Sequence, residues 1–286
     1  MSSYRFCRTD DVSLLVDALN RCWSPHFPDE PAMTPATFKR SIRDLQVWCS
    51  SCMVAFAGAD PIAVLIGAKR PSGTLIHKIA VHPDHCRQGH GRHLLTSLSS
   101  KLSILGPPKM VAEIPETLAP TSALFAACGY VQEAVLTDYV LQGSAPSERG
   151  NHGRVEGFVI PITIDDLAAN GLLENQPDVC WERSIETLTA RKDDLAGLAV
   201  ASDERIEACL LYVKDETTTE ILALRSFEAD GAAGLKQLLS RLGTRLGTSV
   251  RFPKVHPAEI SNDLLETLGF HAAGVHLLYT TTARSG

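Results

Sequence analysis

The chain has 286 residues, room for one large domain or two ordinary ones, and its 44% hydrophobic and 21% charged residues are those of a soluble globular protein. A net charge of −6 without any Lys/Arg run argues against a nucleic-acid partner. Met1-Ser2-Ser3-Tyr4-Arg5-Phe6 offers no signal-like apolar stretch, and runs such as Ile62–Ala68 are too short to span a bilayer, so a cytoplasmic protein without membrane attachment is expected.

In chain order, a short strand is expected at Tyr4–Cys7, then a helix from Asp11 to Trp23 with Leu14, Leu15, Ala18, Leu19 and Cys22 at helical spacing. Thr34-Pro35 reads as an N-cap and first-turn proline, opening a helix toward Val47. Strands follow at Cys52–Ala57, Ile62–Ala68 and Thr74–Val81, the first two joined by the turn-like Gly58-Ala59-Asp60-Pro61. A polar loop leads into a helix at Gly91–Leu105. A strand at Met110–Ile114, a short helix at Thr121–Cys128 stopped by Gly129, and a strand at Ala134–Leu141 complete the first half. The run Gly143–Gly150 is a linker by composition.

The second half repeats this order. Strands are expected at Val155–Ile162, Leu195–Ala201, Ile206–Val213 and Glu220–Leu224. A helix at Gly231–Leu242, a strand at Val250–Val255, a helix at Glu259–Leu268 and a strand at Val275–Thr281 follow. At an offset of 140, Gly91, Leu95, Leu98 and Leu102 fall on Gly231, Leu235, Leu238 and Leu242, Gly129-Tyr130 on Gly269-Phe270, and Tyr139 on Tyr279. An ungapped register of this kind reads as an internal duplication.

Chemistry concentrates in His77–Arg92, where a strand ends at Val81 and a helix begins near Gly91. Amides at a helix start have no internal partner and sit at the positive end of the helix dipole. Glycines let a ligand approach those amides, so the turn suits a phosphate or pyrophosphate, with Arg87 and Arg92 adding charge. Neither the dinucleotide fingerprint nor the P-loop Gly-Lys-Ser/Thr is present.

Val81-His82-Pro83, followed by Gly89-His90-Gly91 and Leu94-Leu95, resembles the GCN5-related N-acetyltransferases (GNAT). Their signature is Arg/Gln-x-x-Gly-x-Gly/Ala after a strand ending in Val-x-Pro. Ala123–Tyr130 is similar to the family's second element, a short helix closed by Gly-Phe/Tyr, and the element order matches over residues 4–142. The resemblance implies an α/β (α+β) chain of two tandem domains, each a mixed, mostly antiparallel central sheet flanked by helices. Residues 1–143 would be the catalytic domain, 144–154 a linker, and 155–286 a degenerate copy. Three positions depart from the pattern: Cys86 stands at the first signature position, Phe125 where many members have an acidic tyrosine, and Leu118 near a common cofactor-contacting asparagine.

The activity so implied is transfer of an acetyl group from acetyl-CoA to a small-molecule or peptide primary amine by direct attack, in a monomer or homodimer. The pantetheine arm would bond Ile79 and Val81, and the pyrophosphate would rest on Cys86, Arg87, Gln88, Gly89, His90, Gly91 and Arg92. The Val81 amide would serve the oxyanion. His77 is the expected base, since an imidazole exchanges protons near neutrality, with Tyr139 and Glu113 as further proton-transfer candidates. Trp23, His26 and Phe27 would wall the acceptor pocket. A regulatory protein that binds acyl-CoA without turnover, and a transferase of a longer acyl group, are the alternatives.

Three other patterns carry a structural expectation. His77, His82, His85, His90 and His93 cross strand, loop and helix without a converging cysteine-carboxylate framework, so no metal is expected. Cys49-Ser50-Ser51-Cys52 lacks a second pair, and the eight cysteines are expected as small buried thiols. The second half's loop, Ser226–Gly231, is about three residues shorter, has no Arg, Lys or Gln, and adds two carboxylates that would repel a pyrophosphate.

Overall fold

The computed structural model describes residues 2–141, 157–173, 178–215, 217–228, 231–246 and 249–283; the expected linker, together with Ala229 and Asp230, lies outside them. The chain divides into two compact units, Met1–Ala134 with Leu277–Gly286, and Val135–His276.

The first unit contains β1 (Ser2–Phe6), α1 (Val12–Cys22), α2 (Pro35–Leu45), β2 (Met53–Ala57), β3 (Asp60–Arg70), β4 (Gly73–Val81), α3 (His90–Leu105), β5 (Lys109–Pro115), α4 (Ala119–Ala127) and the start of β6 (Val131–Leu141). Strands β1 to β4 pair antiparallel in sequence order, β4 pairs parallel with β5, and the strand beside β5 is the end of the chain's last strand, from Leu277 on. Local chemistry explains the boundaries. The Thr34 hydroxyl accepts from Thr37 N–H at 3.1 Å and Pro35 opens α2 as expected; Gly129, at φ 85°, ends α4. Leu94, Leu95, Leu98 and Leu102 turn one face of α3 onto the sheet, each no more than 2% exposed, against Met53, Ala63, Leu65 and Ile76.

The second unit repeats the plan with the rest of β6, then β7 (Phe158–Pro161), α5 (Ile164–Ala169), α6 (Ile185–Ala190), β8 (Ala196–Ala201), β9 (Ile206–Lys214), β10 (Thr218–Ser226), α7 (Ala232–Leu246), β11 (Ser249–Val255), α8 (Asn262–Thr267) and the first part of β12 (Phe270–Thr282). Strands β7 to β10 are antiparallel, β10 and β11 parallel, and β11 pairs antiparallel with β6. Leu235, Leu238 and Leu242 are as deeply buried as their first-half counterparts. Repeat and compact unit are therefore different divisions of the chain. The last strand of the first repeat pairs with β11, and the last strand of the second finishes beside β5.

Two short helices, α5 and α6, had no expectation. Each has six residues, too few to show a stripe, although Thr163 and Asp166 form a capping box readable as Thr-x-x-Asp. All eight cysteines are free; six are buried, Cys128 is half-buried and Cys86 is exposed, so the buried-thiol reading fails only at the last two. Burial pushes the Cys7 thiol up to about 12. Among the described residues no helix is long and apolar enough to cross a membrane.

Candidate active site

The parallel pairing of β4 with β5 is confined to Thr74↔Met110 and Leu75↔Val111; beyond these the two strands part. The opening is a cleft of about 610 Å³ in the first unit, bounded by Ile76–Val81, Ala112–Pro115, the start of α4, the turn before α3, and Trp23, His26 and Phe27.

Strand β4 presents its backbone to this cleft. His82 N–H donates to Ile62 C=O at 2.9 Å, and alternation along the antiparallel ladder then turns the peptide groups of Ile79 and Val81 away from β3, toward the side β5 has vacated. The register between β3 and β4 slips from Ile66↔Lys78 to Gly67↔Ile76, leaving His77 as the extra residue of a bulge. Bulges re-aim side chains, and His77 lines the cleft. Glu113 lines it from β5. At the corresponding bulge of the second unit the extra residue is Leu222, which offers no proton chemistry.

The turn from β4 to α3 occupies residues 82–89. Arg87 and Gly89 both have positive φ, 64° and 88°, and Gly89 caps α3, whose first turn leaves amides without helical partners. A Cβ added at Gly89 would meet no protein atom within 4 Å, so the space above these amides is kept clear by the fold. Arg87 and Arg92 are exposed at its rim. The Cys86 thiol lies 3.6 Å from the carbonyls of Val81 and His82. Of the expected cofactor-loop residues only Gln88 does not line the cleft; its amide donates to Asp84 C=O at 3.3 Å.

Tyr139 requires correction as a proton-transfer candidate. It belongs to the second unit, is buried in that unit's core, and its hydroxyl donates to Asn262 Oδ1 at 2.7 Å. Phe125 is buried with its ring edge-on to Tyr130, 4.8 Å between centroids. The Tyr130 hydroxyl does not replace the missing phenol, because it points at Met110 Sδ at 3.8 Å and burial raises its pKa.

One contributor, Lys78, carried no sequence signal. Lys78 places its ammonium 3.7 Å from the centre of the Trp23 ring and 3.5 Å from Glu30, which also accepts from Trp23 Nε1 at 2.9 Å. His90 is 5% exposed, with Nδ1 2.6 Å from the Tyr4 hydroxyl. Burial first, then His85 and His93, holds its imidazole below the ordinary 6.5. The folded state resists a proton the unfolded chain accepts, so this contribution to stability is complete above pH 6.5 and is lost as pH falls through the folded value. Denaturant midpoints measured about one unit above and below 6.5 should therefore drop on the acid side, and His90→Phe should flatten the drop.

The second unit closes the equivalent places. β10 ends at Ser226 and α7 begins at Ala232, three residues closer in sequence than β4 and α3, and a Cβ at Gly231 would sit 1.8 Å from Ser226 Oγ. Arg183 is buried, forks onto Glu259 at 2.7 and 2.5 Å, donates to Lys254 C=O at 3.0 Å and stacks over Phe252. Lys254 is the offset-140 counterpart of Ile114, which in the first unit borders the open cleft.

The parted strands, the exposed β4 backbone and the bare amides at the start of α3 are features that an acyltransferase of the GNAT type would use. Residues 13–130 match the Acetyltransferase (GNAT) family. Among the curated proteins, none matches the chain. Among solved structures, the chain is similar over its whole length to a tandem GNAT protein of the clavulanic acid biosynthesis pathway, described without AcCoA, at 14% identity with full coverage of both chains and a TM-score of 0.68. A GCN5-related N-acetyltransferase from Sphaerobacter thermophilus is 15% identical, with 100% of this chain and 96% of that one covered and a TM-score of 0.68. A glucosamine N-acetyltransferase region of a fungal multi-domain GH3 β-N-acetylglucosaminidase is 12% identical, covering 98% of this chain and 38% of that one, with a TM-score of 0.72. Identities this low establish a shared fold.

Proposed function

We propose that the first repeat, residues 1–143, transfers an acetyl group from acetyl-CoA to a primary amine, and that residues 155–286 are a copy without a coenzyme site. The observation that carries this reading is the clear space over Gly89 at the start of α3, continuous with a strand whose peptide groups at Ile79 and Val81 face an open cleft. The residues present fit a coenzyme A thioester: amides and two arginines for the diphosphate, and for the pantetheine amides the Ile79 peptide groups and the Val81 N–H, the Val81 C=O being bonded to His26 Nε2 at 2.8 Å. Two neighbours, one named a glucosamine N-acetyltransferase region and one named for its state without AcCoA, support the choice of donor and acceptor.

Acetyl-CoA, when bound, supplies an activated acyl carbonyl. The Val81 N–H donates to the oxygen that gains charge. His77 on its bulge takes the proton the amine must lose as the new C–N bond forms, with Glu113 opposite it across the cleft. A thiolate is a weaker base than an alkylamine, so loss of a phenol at 125 does not prevent its departure.

Calorimetry with coenzyme A, paired with thiol release from acetyl-CoA over a panel of amines, tests the reading. Heat of binding with thiol release on some amine supports it. Absence of binding by folded protein removes it, and binding without turnover on any amine favours the regulatory alternative. His77→Ala should lower turnover at least about tenfold with coenzyme affinity nearly unchanged; wild-type turnover in that variant would take His77 out of the reaction.

A further inference from the structure

We infer that His26 is a second proton acceptor, the group that strips the incoming ammonium before the acyl-transfer step. The inference rests on the acyltransferase reading above and adds a residue whose part in the chemistry neither the family resemblance nor the expected pocket wall specified.

The ring of His26 is held by a contact that dictates its protonation. Nε2 lies 2.8 Å from the Val81 carbonyl oxygen, and a carbonyl can only accept, so Nε2 must carry the hydrogen. In a neutral imidazole the other nitrogen is then a bare acceptor. No protein group among the described residues satisfies Nδ1 of His26, and the ring is exposed at the cleft wall. When Nδ1 takes a proton, the Nε2–H bond to the Val81 carbonyl is kept and becomes charge-assisted.

The surrounding segment holds this geometry before any ligand arrives. Asn20 closes the connection between α1 and α2 by bonding Met33 C=O and N–H at 2.9 and 2.7 Å. Within it, His26 N–H donates to Trp23 C=O at 2.9 Å, and the Trp23 and Phe27 rings stack on each other with centroids 4.4 Å apart. The connection therefore presents one aromatic wall and one oriented lone pair to whatever enters from solvent.

The proton balance requires two transfers, and the two histidines divide them. An alkylamine arrives as an ammonium. His26 removes its first proton at Nδ1, leaving a neutral amine with a lone pair, and passes that proton to solvent from its exposed ring. As the C–N bond forms and the C–S bond breaks, His77 relays the second proton from nitrogen to the departing sulfur. The products are an amide, a thiol and one released proton.

The test separates this division from a structural role. In wild-type protein the ¹⁵N shifts of His26 should report a protonated Nε2 and a bare Nδ1; the opposite tautomer overturns the inference. Turnover of wild type, His26→Gln and His77→Ala is then compared on ethylamine and on 2,2,2-trifluoroethylamine, which is largely neutral near physiological pH. Relative to wild type, His26→Gln should lose at least about tenfold more turnover on ethylamine than on the fluorinated amine, whereas His77→Ala should lose similarly on both. An equal loss of His26→Gln on both amines, or none on either, overturns the inference while the acyltransferase reading stands. No thiol release by wild type on any amine removes that reading, and the role of His26 with it.

Discussion

Gly89→Val should weaken coenzyme A binding by at least about a hundredfold, the largest functional effect expected of any single substitution here. Two costs combine. The backbone at φ 88° is one an L-residue enters only at about 1–2 kcal/mol, and a β-branched side chain makes it worse. The second cost falls on the ligand: the added carbons project into the space kept clear above the first amides of α3, where no protein atom approaches within 4 Å. Gly58→Val separates the two, because Gly58 also has positive φ (63°) and an unobstructed Cβ position, at the turn between β2 and β3 outside the cleft. Both variants should lose similar thermal stability. Calorimetry should find coenzyme affinity lost only in Gly89→Val; equal affinity in both would show that the turn is not the anion site.

Glu259→Leu should destabilise the second unit by about 3–5 kcal/mol. The substitution strands the Arg183 guanidinium, whose side chain is fully buried and whose charge Glu259 neutralises through two bonds of 2.7 and 2.5 Å. What remains, the Cys180 thiol, a bond to Lys254 C=O and the face of Phe252, solvates a cation poorly. Because the penalty comes from an orphaned charge, Arg183→Met combined with Glu259→Leu should recover most of it. Urea titrations followed through the buried Trp181, two residues from Arg183, would read the difference. A double variant as unstable as the single one would mean that the pair contributes shape rather than charge balance.

The buried Arg183 contact of the second unit and the clear turn of the first also support the proposal that one repeat works and the other has lost its coenzyme site. Residue content around 226–231 already pointed that way, through missing cations and added carboxylates. Three-dimensional placement adds two physical reasons, Arg183 bound to Lys254 C=O and Leu222 standing where the first repeat has His77.

What could be read in advance was whatever obeys a local rule. A threonine cap with a following proline starts α2, glycines with positive φ stop α4 and α8, and the leucine period marks the buried faces of α3 and α7. The turn proposed to hold the diphosphate was legible as a turn for the same reason, since its amides and glycines lie within a few residues of one another. Tyr139 was misplaced because alternation along a strand tells which side chains share a face but not which strand will pair with it; β6 pairs with β11, more than a hundred residues onward.

By itself, then, the order of residues determined where the capped and periodic helices and most strands lie, that the plan occurs twice, and which turn carries the glycines proposed to admit a diphosphate. Only the tertiary structure decided that His77 sits on a bulge, that His26 bonds the Val81 carbonyl 55 residues away, and that Arg183 meets Glu259 across 76 residues. Caps and periodicity arise from bonds a segment makes with itself, whereas these contacts depend on which distant groups the closed sheet and its loops bring within bonding distance.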